Sequence, residues 1–199
     1  MFRVKNCIFT AHCTEHICDN ACPILAETSY LLERNRIDFS NSVFNVSQKS
    51  IDAAMSVLHK SDKHLGVLET ESTITSSDLI TYCAICENWY GNRLHCSVYH
   101  LQFSTYLDTL QKSWSAKNPI ESLEYEQIWI SNAKVLVISN LDYVQFKDFQ
   151  AQTLLNLLHN RENNRLTTII VTPKINNLIG SGLFFSKLQS VMKGAIVIW

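Results

Sequence analysis

Ala133-Lys134-Val135-Leu136-Val137-Ile138-Ser139-Asn140-Leu141-Asp142 is the stretch on which the fold turns. Val135 to Ile138 are apolar without a break and mostly β-branched, as befits an interior strand of a parallel sheet covered on both faces. Upstream, Leu65-Gly66-Val67-Leu68 reads as a short buried strand and Cys96 to His100 as another. Downstream, Thr168 to Thr172 and Ala195 to Trp199 read the same way. Helices are expected between them: about Asp78 to Tyr90, with Gly91 placed to end it, then Ser104 to Ser113 and Phe146 to Arg161. Strands alternating with helices predict a three-layer αβα domain with a mainly parallel sheet over residues 63–199.

The first 62 residues are of another kind. Four cysteines crowd into their first part, and a helical pattern, Ile24 to Glu33, follows Pro23. Asn41 to Val46 is loop-like, and Ser50 sits at an N-cap position ahead of Ile51 to Leu58. The expected division is a small Cys-rich, helical region at 1–62 and an α/β domain at 63–199, without internal repeats.

The 199 residues are 46% hydrophobic and 18% charged, enough apolar material for a core and too little charge for disorder. Five Gly and three Pro exclude collagen-like and linker-rich architectures. A net charge of -1 provides no global field toward nucleic acid or anionic lipid, so any DNA contact needs a local patch. No apolar run is long enough to span a bilayer, and Met1-Phe2-Arg3-Val4-Lys5 does not open a signal peptide. A cytoplasmic location is expected, and with it reduced cysteines rather than disulfides.

Cys7, Cys13, Cys18 and Cys22, interleaved with His12 and His16, concentrate soft ligands in one short segment. Four thiolates, or three and an imidazole, suit a closed tetrahedral zinc site that fixes a region too small for its own core. The wide spacings and the Cys22-Pro23 ending also admit an iron–sulfur cluster. Zinc is preferred because a structural role needs nothing more. The plain alternative is four reduced thiols, two of them on an inward helix face.

In phosphate-transfer folds the tip of a strand like Val135–Ile138 carries Asp to hold magnesium, often followed by a second acid. Here it reads Ser139-Asn140. The run from Leu154 through His159-Asn160-Arg161-Glu162-Asn163-Asn164-Arg165 to Thr172 combines a helix, a polar turn and a following strand. Together with Trp114-Ser115-Ala116-Lys117-Asn118-Pro119, Phe185-Ser186-Lys187-Leu188 and the cysteine lead into Tyr30-Leu31-Leu32, it resembles the bacterial and phage replicative-helicase loaders, the DnaC/DnaI-like AAA+ ATPases. The resemblance covers nearly the whole chain and is carried by framework residues.

What the resemblance implies for the site is a loss of chemistry. The phosphate loop of such an ATPase is glycine-rich and ends in Lys-Ser/Thr, because bare backbone N–H groups must close around phosphates. The matching positions here are Thr70, Thr73 and Thr75 for the glycines and Ser76-Ser77 for Lys-Ser/Thr. Of these, only Ser77 retains a group that could touch magnesium, while the acid positions are Ser139 and Asn140. Glu69 and Glu71 add negative charge beside a triphosphate, and the sensor position falls near Pro173. Lys187 stands for one family arginine and Leu183 for another. Charged hydrogen bonds contribute about 1.5–3 kcal/mol each, so losing three or four removes roughly 5–10 kcal/mol of binding. The expectation is a pseudo-ATPase of a phage or mobile element that binds no ATP. It would act in DNA replication by docking to a replicative helicase or an active AAA+ loader, within a hetero-oligomer and with single-stranded DNA as a further candidate partner. Alternative readings are an inhibitor of a host loader or helicase, and a metal or iron–sulfur redox protein.

Other residues carry weaker signals. Cys83-Ala84-Ile85-Cys86 is a formal CxxC inside a helix, and is expected to be buried small hydrophobes. His95, Cys96 and His100 are read as packing or edge residues of a strand. Trp114, Trp129 and Trp199 could stack on bases but lack interleaved cations, and Trp89 is simplest as core. Arg161, Arg165, Lys174 and Lys187 are candidates for a cationic face toward DNA or a neighbouring subunit.

Overall fold

Five short strands, three of them mainly β-branched and aliphatic, form one sheet in the computed structural model. The model describes residues 65–92, 98–116 and 120–198, with residues 2–3, 17–18, 52, 56 and 58 apart from them; side chains at 86–92 and 196–198 are not described. The strands are β1 (Leu65–Glu69), β2 (Val98–Gln102), β3 (Val135–Ser139), β4 (Thr167–Thr172) and β5 (Ile196–Ile198). Their order across the sheet is β2-β3-β4-β1-β5, and every pairing is parallel. β3 is interior and buried at all five positions, as its unbroken apolar run requires. Phe2–Arg3 and Ile17–Cys18 form a separate two-stranded antiparallel ribbon.

The strand order fixes where the helices go. Helix α1 (Thr73–Asn92) carries the chain from β1 across β4 and β3 to the edge strand β2. All later crossovers run the other way: α2 (Phe103–Ser115) and α3 (Glu121–Asn132), then α4 (Asp148–Asn163), then α5 (Leu183–Gly194). Because such crossovers are right-handed, opposite directions put α1 on one face and α2–α5 on the other. Strand alternation agrees. Leu101, Leu136, Ile138 and Ile170 join the core beneath α2–α5, while His100 and Ser139 point toward α1. α1 is buried at every position from Leu79 to Ile85.

Several boundaries differ from expectation. α1 begins at Thr73, ahead of the expected start near Asp78, and continues through Gly91. Thr73, Ser77 and Thr81 recur every four residues on its buried side. The Ser77 hydroxyl donates to the Ile74 carbonyl at 2.8 Å and that of Thr81 to the Ser77 carbonyl at 2.7 Å, so small polar residues enter the interior satisfied. α3 was not apparent in the sequence. Only Leu123 and Ile130 are buried on it, and Tyr125 and Ile128 face solvent.

Candidate functional site

The connections leaving β1 and β4 pass to opposite faces of the sheet, which opens a crevice beyond their carboxyl ends. In open α/β sheets ligands bind at such a switch point. Its walls are the β1–α1 link and the tips of β3 and β4.

The β1–α1 link is three residues long, Thr70-Glu71-Ser72. The backbone N–H of Thr70 donates to the Thr172 carbonyl at 2.9 Å, continuing the β1–β4 ladder. The N–H of Ser72 donates to the Thr70 hydroxyl at 3.2 Å and that of Ser76 to the Ser72 carbonyl at 3.0 Å. Thr73, Thr75, Ser76 and Ser77 all lie in the first turns of α1, so they form no loop that could encircle a phosphate. Ser77 is fully buried, with its hydroxyl turned back onto the helix, away from any ion in the crevice. The Glu69 carboxylate accepts the Ile175 N–H at 2.8 Å and so ties the β1 tip to the 3-10 turn Ile175–Asn177. Glu71 is exposed at the mouth.

At the tip of β3 the Ser139 hydroxyl lies 2.7 Å from Nε2 of His100, and both residues are buried. Nδ1 of His100 is 3.7 Å from a carboxylate oxygen of Asp78 on α1. Serine, histidine and aspartate thus fall in line at a strand end, the order of groups that activates a serine nucleophile. Ser139, however, is 1% exposed. The Ser139–His100 bond joins the neighbouring strands β3 and β2, and Asp78 brings a carboxylate of α1 near the same imidazole. Ser139→Ala is expected to lower stability by about 1–2 kcal/mol in urea titration, through loss of the buried bond to His100. Asn140 follows with φ 62, a left-handed conformation that asparagine tolerates, and is half-buried. At the tip of β4, Thr172 is fully buried and its hydroxyl has no hydrogen-bond partner.

The four candidate cations do not form one face. Arg161, which the sequence placed among surface charges, is 2% exposed. Its Nε donates to the Thr168 hydroxyl (2.8 Å), Nη1 to the Ile130 carbonyl (2.7 Å) and Nη2 to the Ala133 (2.9 Å) and Thr167 (2.6 Å) carbonyls. Ile130 and Ala133 end α3, so the guanidinium supplies the donors its last carbonyls lack, at the negative end of the helix dipole. Burial lowers its pKa to about 10, which leaves it charged at neutral pH. Lys187 is exposed beside the groove between α4 and α5, a cavity of about 510 Å³ that reaches Leu65 and Thr168 at the opposite ends of their strands. Leu183 is 79% exposed at the start of α5.

Cys7, Cys13 and Cys22 lie outside the described residues, and only the backbone of Cys18 is described. Among the described residues no group of three or more His, Cys, Asp or Glu side chains could hold a metal ion. Cys83, Ala84 and Ile85 are fully buried, as expected of small hydrophobes. Trp114 is exposed and stands edge-on to Phe149 at 4.9 Å; Trp129 is half-buried. No helix among the described residues is long and apolar enough to cross a membrane.

No protein-family model and no curated protein matches the chain. Solved structures that share its fold include two of DnaA. One is a replication initiator DnaA bound to AMPPCP and single-stranded DNA, with TM-score 0.59 and 9% identity. The other is AMPPCP-bound DnaA from Aquifex aeolicus, with TM-score 0.57 and 9% identity. Each alignment covers 81% of this chain and 50% of the other, so this chain spans about half the length of the structures it matches. The fold is an α/β domain with a parallel sheet, similar to part of a replication initiator DnaA.

Proposed function

We propose that this protein is a catalytically silent replication factor that keeps the AAA+ framework as a docking scaffold. The observation that carries the reading is the three-residue β1–α1 link, too short to wrap a phosphate, preceded by Glu69 and containing Glu71. The Ser139–His100 pair supports it, because a neutral hydroxyl held by a buried imidazole stands where magnesium would need an acid. A protein that does not cycle nucleotide acts by stoichiometric binding, or depends on a partner for energy. A replicative helicase or an active AAA+ loader is the proposed partner, in a hetero-oligomer, with single-stranded DNA as a secondary contact. The cysteine-rich N-terminal region, holding zinc, would brace one contact surface. The AAA+-like fold shared with a replication initiator favours this setting over a redox role. Stimulation in a helicase-loading assay would support the accessory reading, and inhibition would support a protein that blocks a host loader.

Nucleotide binding is tested by melting the protein with and without ATP–magnesium. A ligand at a hundred times its Kd stabilises by about 2.7 kcal/mol. For a chain of this size that raises Tm by roughly 5–10 °C. The expected result is a shift below about 1 °C, and a rise of several degrees would sink the pseudo-ATPase reading.

A further inference from the structure

α3 and α4 face each other across a cavity of about 500 Å³. α2 contributes Tyr106 to its lining, α3 contributes Gln127 and Ser131, and α4 the series Asn156, Asn160 and Asn164. Among the described residues, Arg161 is the single charged side chain in that lining. It spends four of its five N–H groups on the bonds to α3 and β4, leaving one on Nη1 without a partner among the described residues. The Asn156 and Asn160 carboxamides are exposed and make no hydrogen bond among the described residues. Gln127 is held by the Tyr106 hydroxyl, and Nδ2 of Asn164 donates to the Asn160 carbonyl at 2.7 Å, which leaves Oδ1 of Asn164 open. The wall therefore offers neutral hydrogen bonds in a row and no free charge.

Spacing decides what such a row can hold. Four residues along a helix rise about 6.0 Å. Asn156, Asn160 and Asn164 stand four apart, and so do Gln127 and Ser131 on the facing helix. In an extended chain, residues that present the same edge recur every second position, at about 6.4–6.8 Å. A carboxamide carries an acceptor oxygen and two donors, so one can meet both the N–H and the C=O of such a residue. Each four-residue step also turns the series by about 40°, yet all three asparagines line the one cavity. Nucleic acid fits worse. Its phosphates require cations that this wall does not supply, and Glu121 and Glu124 are exposed on α3.

We infer that this cavity binds the main chain of an extended, uncharged peptide segment of a partner protein, with the three asparagines pairing to alternate residues. The inference gives the docking reading a partner chemistry and takes nothing from the nucleotide argument, so the ATP–magnesium melt and the titration below can fail independently.

The test titrates the full chain with the uncharged pentapeptide acetyl-Thr-Ala-Thr-Ala-Thr-amide. NMR follows the side-chain NH2 signals of Asn156 and Asn160, assigned through Asn156→Ala and Asn160→Ala. Saturable shifts with half-saturation on the order of 1 mM are expected, because each neutral hydrogen bond adds little net. Asn160→Ala, at the centre of the series, should weaken binding at least about fivefold as read at Asn156, and Asn160→Gln should recover part of the loss. Both asparagines are exposed, so Tm should move by no more than a few degrees. The same peptide with every backbone N–H methylated should not bind. Absence of saturable shifts, undiminished binding by Asn160→Ala, equal binding of the methylated peptide, or the same shifts from a five-nucleotide oligothymidylate would each overturn the assignment.

Discussion

Arg161→Met should lower stability by about 3–5 kcal/mol, the cost of leaving buried acceptors without their charged donor. Methionine keeps most of the stem packing, so the loss would report the guanidinium itself. Four acceptors on two elements lose their partner together: the Ile130 and Ala133 carbonyls at the end of α3, and the Thr167 carbonyl and Thr168 hydroxyl at the start of β4. Lysine should recover only part of the loss, since a point charge with three donors cannot reproduce a planar fork. Urea titration measures the effect directly. In thermal melting it corresponds to a fall of roughly 6–20 °C for a chain of this size. A change within about 1 kcal/mol would show that the bond set is dispensable.

Phe146→Ala should have a comparable effect, about 3–5 kcal/mol, for a different reason. Phe146 is fully buried and lies against Phe103 (ring centroids 6.2 Å, 13° between planes) and Phe185 (5.7 Å, 23°). Its backbone joins two rim loops: its N–H donates to the Ile179 carbonyl at 2.9 Å, and its carbonyl accepts the Ser181 N–H at 2.9 Å. Between those residues Gly180 leaves room for the rings, for a Cβ there would come within 2.7 Å of the Phe146 Cβ and 2.6 Å of the Phe185 ring. The truncation therefore opens a cavity and loosens the pairing of the β3–α4 and β4–α5 connections. Urea unfolding gives the magnitude. Hydrogen exchange at the Phe146 and Ser181 amides should quicken by more than global destabilisation explains, and unchanged relative protection would contradict the rim-clamp role.

The sheet was legible because its signal is local. Val135–Ser139 and Thr167–Thr172 are runs whose chemistry admits little else, and each was placed within one residue of its observed ends. α1 was misread at its start because its buried stripe is written in Thr73, Ser77 and Thr81 rather than in aliphatic residues. α5 does carry a readable stripe, Phe185, Leu188 and Met192, all buried. Arg161 was readable too. It continues the buried spacing of Leu154, Leu157 and Leu158 along α4, so position outranked residue type. The Asp78–His100–Ser139 alignment could not be read from the chain, since it exists only once β2 and β3 are in register, with Gln102 beside Ser139.

On the proposed pseudo-ATPase reading, the short span between β1 and α1 also bears on descent. Residue identities can revert one codon at a time, whereas a missing length of backbone returns only by insertion. Restoring glycine, lysine and aspartate by substitution would leave the helix starting at Thr73. A library of point variants selected for triphosphate binding should therefore stay barren, and one that adds three or four residues after Glu69 is where a revived motor would be sought.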